Sequence, residues 1–329
     1  MIPARLHFAL AVLLGVLCLV ALMTGPVVVT VQDLWRLMTG GGDQRLSLVL
    51  WEIRLPRIVA GAMVGAALAL SGAALQGLLR NPLADPGVIG VTASAALGAV
   101  LALFLGLATV WPWLLPVFAI TAALLATMLL TALAGREASV LTLILAGVAV
   151  SSFAGALTSL VINLSPNPFT LGEIVLWLLG SLANRSGADV LLAAPFVAAG
   201  AALLLSAGRG LDALTLGEDT AATLGVDGRR LRLMVVFGAA LAVGASVAIS
   251  GAVGFVGLVV PHIVRPFVGY APARLLLPSA IGGAVLVVAA DLAIRLAPTT
   301  QELKLGVVTA LIGAPFFLHL LWTTRRAMR

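Results

Sequence analysis

Apolar runs of about twenty residues recur along the whole chain, separated by short polar stretches in which most of its arginines collect. About twenty apolar residues in helical conformation cover a hydrocarbon core. Inside a bilayer each segment must satisfy its own backbone polar groups, so the pattern predicts helices. Spans are expected at 6–24, 56–79, 92–108, 112–134, 140–163, 189–207, 230–249, 254–268, 273–296 and 304–324. At the eighth, Gly251, Gly254, Gly257 and Pro261 break the pattern, which predicts a short or irregular helix. The first run is longer than a signal-peptide core and lacks a small-x-small cleavage site, so it reads as a retained span. Between the fifth and sixth spans a connector from Leu164 to Gly187 holds Pro166, Pro168 and then Glu173 and Trp177 among apolar residues, the pattern of a short interfacial helix.

The stretch from Arg54 to Gly98 organises the rest. It opens on Arg54-Leu55-Pro56-Arg57, continues through small and apolar residues, and closes on an Arg80-Asn81-Pro82 turn. Gly61 and Gly65 form a small-xxx-small pair, continued by Gly72 and Gly77, so this helix is expected to let another approach its backbone. Gly65–Ala73 (GAALALSGA) is echoed by Gly244–Ala252 (GASVAISGA), with six of nine positions identical. The two echoes fall in the second and seventh spans, which run in opposite directions. That is the arrangement of an inverted repeat, with halves at about 55–165 and 229–325. Coincidence in an Ala/Gly-rich chain is the other reading.

Composition agrees with the pattern. The 329 residues are 61% hydrophobic and 10% charged, against roughly 25% charged in soluble domains. The fold class is an all-α polytopic membrane protein with ten transmembrane helices in one domain, 1–329. Cys18 is the single cysteine, so no disulfide forms within the chain, and it reads as packing.

Charge sets the expected orientation. With ten spans, twelve basic residues fall on the side of the termini: Arg5, Arg80, Arg136, Arg209, Arg229, Arg230, Arg232, Arg265, Arg274, Arg325, Arg326 and Arg329. Seven fall opposite: Arg36, Arg45, Arg54, Arg57, Arg185, Arg295 and Lys304. The bias predicts cytoplasmic termini. Arg54, Arg57 and Arg295 sit at helix ends on the side where positive charge is disfavoured. They either pair locally, as Asp291 and Arg295 can at i, i+4, or form a docking surface for an acidic partner.

A loop at 212–228 on the side of the termini is long enough for a short helix over Ala213–Leu224. Leu214, Leu216, Ala221 and Leu224 are expected on one apolar side, with Gly217, Glu218, Asp219 and Gly225 completing the loop. It is either an amphipathic connector or a lever touched by a cytoplasmic protein. In the fifth span Ser152, Gly155, Ser159 and Asn163 fall on one face. Those serines either bond back to their own helix or line a weakly polar substrate passage.

No phosphate-binding loop, zinc motif or paired histidines appear, so nucleotide hydrolysis by this chain is not expected. Asp291 is the one acid well inside an expected helix. An ion pair with Arg295 is its structural reading, and the coupling acid of an ion-driven secondary transporter its functional one. A membrane scaffold without transport is a third class.

Several segments resemble the permease subunits of bacterial ABC importers for iron-siderophores, heme and vitamin B12, the FecCD or BtuC-like family. They are the RLPR entrance, SGAALQGLLRNPLADPGVIGVTASA, LGEDTAATLGVDGRRLR, SGAVGFVGLVVPHIVRPFVG and ELKLGVVTALIGAPFFLHLL, spanning nearly the whole chain. The family usually has proline where Lys304 or Leu305 stands. The resemblance implies a type II importer permease with ten membrane helices in the inner membrane, paired as a homodimer, with no cofactor and no catalytic residue of its own. It implies two ABC ATPase subunits that bind ATP and magnesium and meet the Leu214–Val226 segment as a coupling helix. It also implies a periplasmic binding protein set against Arg54, Arg57 and Arg295, and a metal-chelate cargo with ferric siderophore first. Nucleic acid is not an expected partner.

Overall fold

A computed structural model describes residues 2–39, 43–135, 139–299 and 301–327. Its α-helices are α1 (Ile2–Met23), α2 (Val31–Met38), α3 (Gln44–Leu48), α4 (Leu55–Leu78), α5 (Val91–Phe104), α6 (Leu107–Val110), α7 (Leu114–Ala134) and α8 (Val140–Asn163). They continue as α9 (Pro168–Leu178), α10 (Gly187–Ser206), α11 (Gly208–Leu214), α12 (Glu218–Thr223), α13 (Gly228–Ser250), α14 (Val256–Val264), α15 (Pro272–Leu296) and α16 (Leu305–Ala327). No strand occurs among the described residues. Each expected span contains a helix, and seven of the described helical segments are long and apolar enough to cross a membrane. The segments α5, α9, α14–Val268 and Leu305–Leu320 are shorter apolar helices.

Several boundaries differ from expectation for visible reasons. The third span stops at Phe104 because Gly106 turns left-handed, and α6 follows as a separate turn. The first connector holds α2 and α3, which its mixed polar sequence did not announce. A π-helical turn over Val49–Arg54 joins α3 to α4, so helical backbone runs from Gln44 to Leu78.

Small residues decide what lies inside. The Gly/Ala/Ser-rich helices α4, α13 and α15 form the interior, while the Leu/Val-rich α1 lies at the edge. There α1 packs Ala21 against Ile58, Val288 and Leu292, with Cys18 partly buried beside them. The expected packing face of α4 has two close crossings. A Cβ on Gly65 would lie 2.1 Å from the Gly283 carbonyl oxygen of α15, and one on Gly72 would lie 1.9 Å from that of Gly257 in α14. Gly61 and Gly77 instead meet side chains, of Leu182 and of Pro272 with Leu211.

The eighth span is irregular, as expected. Backbone without helix runs through Gly251–Gly254 to Phe255, which has φ +67°, before α14 and a 3-10 turn over Arg265–Val268. Beside it the neighbouring segments bond to one another. Ser181 N donates to Ser250 O at 2.7 Å, Leu305 N to Gly180 O at 2.9 Å and Gly306 N to Leu179 O at 3.1 Å. The ends of α9 and α13 and the start of α16 are thus joined main chain to main chain. A proline at Leu305 would have no N–H to give this junction.

Candidate functional site

Functional chemistry gathers at the two ends of α4. At its Arg54 end two of the three arginines flagged by the sequence, Arg57 and Arg295, come together around Asp291. Arg57 holds this carboxylate in a fork, with Nε 2.9 Å from Oδ1 and Nη2 2.7 Å from the same oxygen. Arg295 Nε lies 3.1 Å from Oδ2. Asp291 is 3% exposed, so the pairing replaces solvation that the charges have lost. Arg57 also binds Glu302 in the segment leading into α16. Sequence reasoning missed Glu302, although its place in the short connector that follows Arg295 is a usable signal.

Arg54 is turned inward. It is 4% exposed and donates to the backbone carbonyls of Leu22 and Val27, closing the turn after α1. Gly25 leaves room for it, since a Cβ there would lie 2.8 Å from Nη2. Local pairing is therefore the arrangement of all three arginines in this chain.

At the Arg80 end the loop 212–228 corrects one expectation. It is not a single helix over Ala213–Leu224. It is α11 and α12 broken at Gly217, whose φ of +102° is incompatible with continued helix. The break also divides the four apolar residues. Leu214 and Ala221 are buried, whereas Leu216 and Leu224 are each 62% exposed beside exposed Glu218 and Asp219. Gly225, at φ +83°, ends α12 by donating to Ala222 O. Arg80 Nη2 lies 3.5 Å from Glu218 Oε1, a loose exposed pair tying the loop to the α4 end.

Above this loop lies a polar knot the sequence did not disclose. Gln76 Nε2 donates to Ala84 O and Gly257 O at 3.3 Å each, and Gln76 Oε1 accepts from Arg265. Asp85 accepts from Gly87 N at 2.8 Å, and burial raises its carboxyl above the ordinary range against the pull of that bond. The signal was one amide, Gln76, in a helix otherwise polar only at Arg57 and Ser71.

On α8 the expected stripe is a continuous surface. Ser152, Gly155, Ser159 and Asn163 are all exposed, and nothing lies within 4 Å of a Cβ on Gly155. Ser159 Oγ bonds back to Gly155 O at 3.0 Å, as the structural reading requires. Leu141, Leu145 and Val148 extend the same exposed face toward the helix start. Of the arginines counted for orientation, Arg136 and Arg329 lie outside the described residues, as do the side chains of Arg325 and Arg326. No cluster able to hold a metal occurs among the described residues.

Comparison with known proteins resolves the class. The FecCD transport family matches residues 13–323. This chain belongs to that family. Among its relatives, the uncharacterised ABC transporter permease protein YvrB of Bacillus subtilis is 42% identical over 98% of this FecCD chain and 92% of its own length. The cobalamin import system permease protein BtuC of Halobacterium salinarum is 44% identical over 85% of this chain and 75% of its own. The vitamin B12 import system permease protein BtuC of Vibrio cholerae is 42% identical over 88% of each. A solved structure described as an inward-facing metal-chelate type ABC transporter superposes with a TM-score of 0.88 at 34% identity, over 97% of this chain and 99% of its own. The FecCD chain is thus a membrane permease of the ABC-importer class, and its relatives are permease subunits.

Proposed function

We propose that this chain is the membrane-spanning subunit of an ATP-driven importer that carries a metal chelate into the cytoplasm. In this reading ten helices cross the inner membrane in two inverted halves, both termini are cytoplasmic, and two copies pair around a central passage. The exposed α8 stripe of Ser152, Gly155, Ser159 and Asn163 lines that passage. Its small, weakly polar surface lets a bulky cargo slide without holding it.

The observation that carries the reading is the broken loop at the Arg80 end. The chain has no nucleotide-binding motif, yet Leu216 and Leu224 stand exposed beside Glu218 and Asp219. Exposed leucines rimmed by charge favour a protein partner over water. Two ABC ATPase subunits, which hold ATP and magnesium, dock there, and their movement reaches α4 through Arg80 and α13 through α12. At the opposite end the cluster of three guanidiniums and two carboxylates retains positive charge for an acidic binding protein. Arg57 and Arg295 are its less deeply buried members, and Arg54 acts by fixing the turn after α1.

Among cargoes, cobalamin takes first place, because relatives named for it align along most of the chain. The ferric siderophore favoured by sequence alone and heme follow. The ion-coupled alternative lacks support, because Asp291 is held between Arg57 and Arg295 in an ion-paired cluster.

Reconstitution with the ATPase and binding protein tests this. Uptake of radiolabelled cyanocobalamin is expected to require ATP, and Leu216→Ser with Leu224→Ser to weaken ATPase association without unfolding the permease. Uptake in vesicles lacking the ATPase, or full association of the variant, would overturn the reading. Parallel assays with ferric siderophores and heme rank the cargoes.

A further inference from the structure

A cleft of about 440 Å³ opens at the Arg80 end between the end of α7 and the starts of α8 and α13. Its wall is apolar, with Met128, Leu143, Leu233 and Phe237, and two arginines, Arg229 and Arg232, stand in its lining. Neither guanidinium has a hydrogen bond or ion pair to any described residue. The adjacent carboxylate, Asp227, is occupied in capping α13, accepting from Arg230 N at 3.0 Å. On the wall, Thr131 Oγ1 bonds back to Thr127 O and Met128 O, leaving little polar demand there.

The cleft is continuous with the membrane-facing surface. Met128 is 57% exposed and shares its side of α7 with exposed Leu125. A ligand entering from this side meets hydrocarbon-compatible residues first and then two cations at the start of α13 that no described residue pairs. That combination fits an amphiphile with an anionic head better than a soluble anion, which has no use for the apolar wall. Basic pockets between membrane helices are suited to acidic headgroups in the same way.

We infer that this cleft is a binding site for an anionic phospholipid, its phosphate held by Arg229 and Arg232 and an acyl chain laid along Met128, Leu143, Leu233 and Phe237. The site lies beside the α12–α13 junction, so an occupied cleft braces the start of α13 next to the loop assigned to the ATPase. Nothing in the transport reading requires it, and it stands or falls separately.

The test uses full-length permease in nanodiscs of phosphatidylcholine containing a small fraction of phosphatidylglycerol with a photoactivatable acyl chain. Peptide mapping is expected to place crosslinks within residues 128–135 and 233–237. Labelling should exceed that by the matching phosphatidylcholine probe several-fold and fall with added salt. In Arg229→Gln/Arg232→Gln the lipid fraction giving half-maximal labelling should rise about 30-fold, at about fivefold per arginine. Labelling of the exposed α1 face around Leu13 and Val16 serves as the folding reference. Equal labelling of wild type by the two probes overturns the inference, since the cleft is then merely solvated by lipid. Loss of labelling when the ATPase subunits assemble overturns it too, because the arginines then belong to a protein interface. Both outcomes are read on wild type and do not depend on the variant folding.

Discussion

Replacing Gly65 by alanine tests the closest approach in the interior. The added Cβ would sit 2.1 Å from the Gly283 carbonyl oxygen, whereas carbon and oxygen settle at about 3.3 Å. The helices α4 and α15 must therefore separate by about 1.2 Å at their crossing. Both partners are backbone, so no rotamer change relieves the clash. A gap of about 1 Å forfeits up to roughly half the dispersion attraction of each contact it opens, and Val64 and Val287, each fully buried nearby, lose packing together. Overpacking of this kind costs typically about 1–3 kcal/mol, and the backbone character of the clash puts this case at the upper end. In thermal unfolding of purified permease, about 3 kcal/mol corresponds to a fall of roughly 6–12 °C. Gly15→Ala on α1, where nothing lies within 4 Å of the new methyl, is the control and should leave the midpoint unchanged. Because Gly65 and Gly283 clash at one crossing, the double alanine variant should cost less than the sum of the singles. A midpoint for Gly65→Ala equal to that of Gly15→Ala would refute the argument.

Three further outcomes are expected. Asp291→Ala leaves Arg57 and Arg295 buried without the carboxylate between them, and such broken pairs cost about 3–5 kcal/mol. Its unfolding midpoint should drop, while the remaining folded protein still transports only with ATP; ATP-independent uptake in wild type that Asp291→Asn abolishes would instead favour ion coupling. Asp85 has a folded-state carboxyl raised by burial. Its protonated form is therefore favoured by folding, a contribution full below the ordinary value of about 4 and lost as pH climbs through the raised folded value. Asp85→Asn should flatten that decline in a stability series from pH 4 to 8, and an unchanged slope would contradict it. Gly217→Val asks a φ of +102° of a β-branched residue and should disorder the α11–α12 break, weakening ATPase association while the helical circular dichroism stays intact.

How far the sequence could be read depended on what a bilayer makes visible. Apolar runs located the helices, because length and hydropathy are the conditions for crossing. The same runs could not say which helix is central, since lipid is as apolar as leucine and gives hydrophobic residues no reason to turn inward. Residue size carried that information: Gly65 and Gly72 marked α4 for close packing, but nothing local named Gly283 and Gly257 as the surfaces they meet. Arg54 illustrates the limit from the other side. Its charge and place in the chain suit an exposed surface, and only the fold reveals two free carbonyls, of Leu22 and Val27, within its reach. The break at Gly217 was visible as a glycine, yet periodicity alone carried the expected helix across it.

The junction of α9, α13 and α16 has a consequence for engineering. Its bonds run between main-chain atoms at Leu179, Gly180, Ser181, Ser250, Leu305 and Gly306, so most side-chain replacements leave the donors and acceptors in place. An alanine scan would pass over it almost silently, with signal only at Gly180, Gly251 and Gly306, where a methyl would lie 2.6, 2.2 and 2.4 Å from a carbonyl oxygen. Reporter groups, dyes or spin labels can therefore be mounted on the exposed neighbouring residues to report on the start of α16 while the junction's main-chain bonds stay in place.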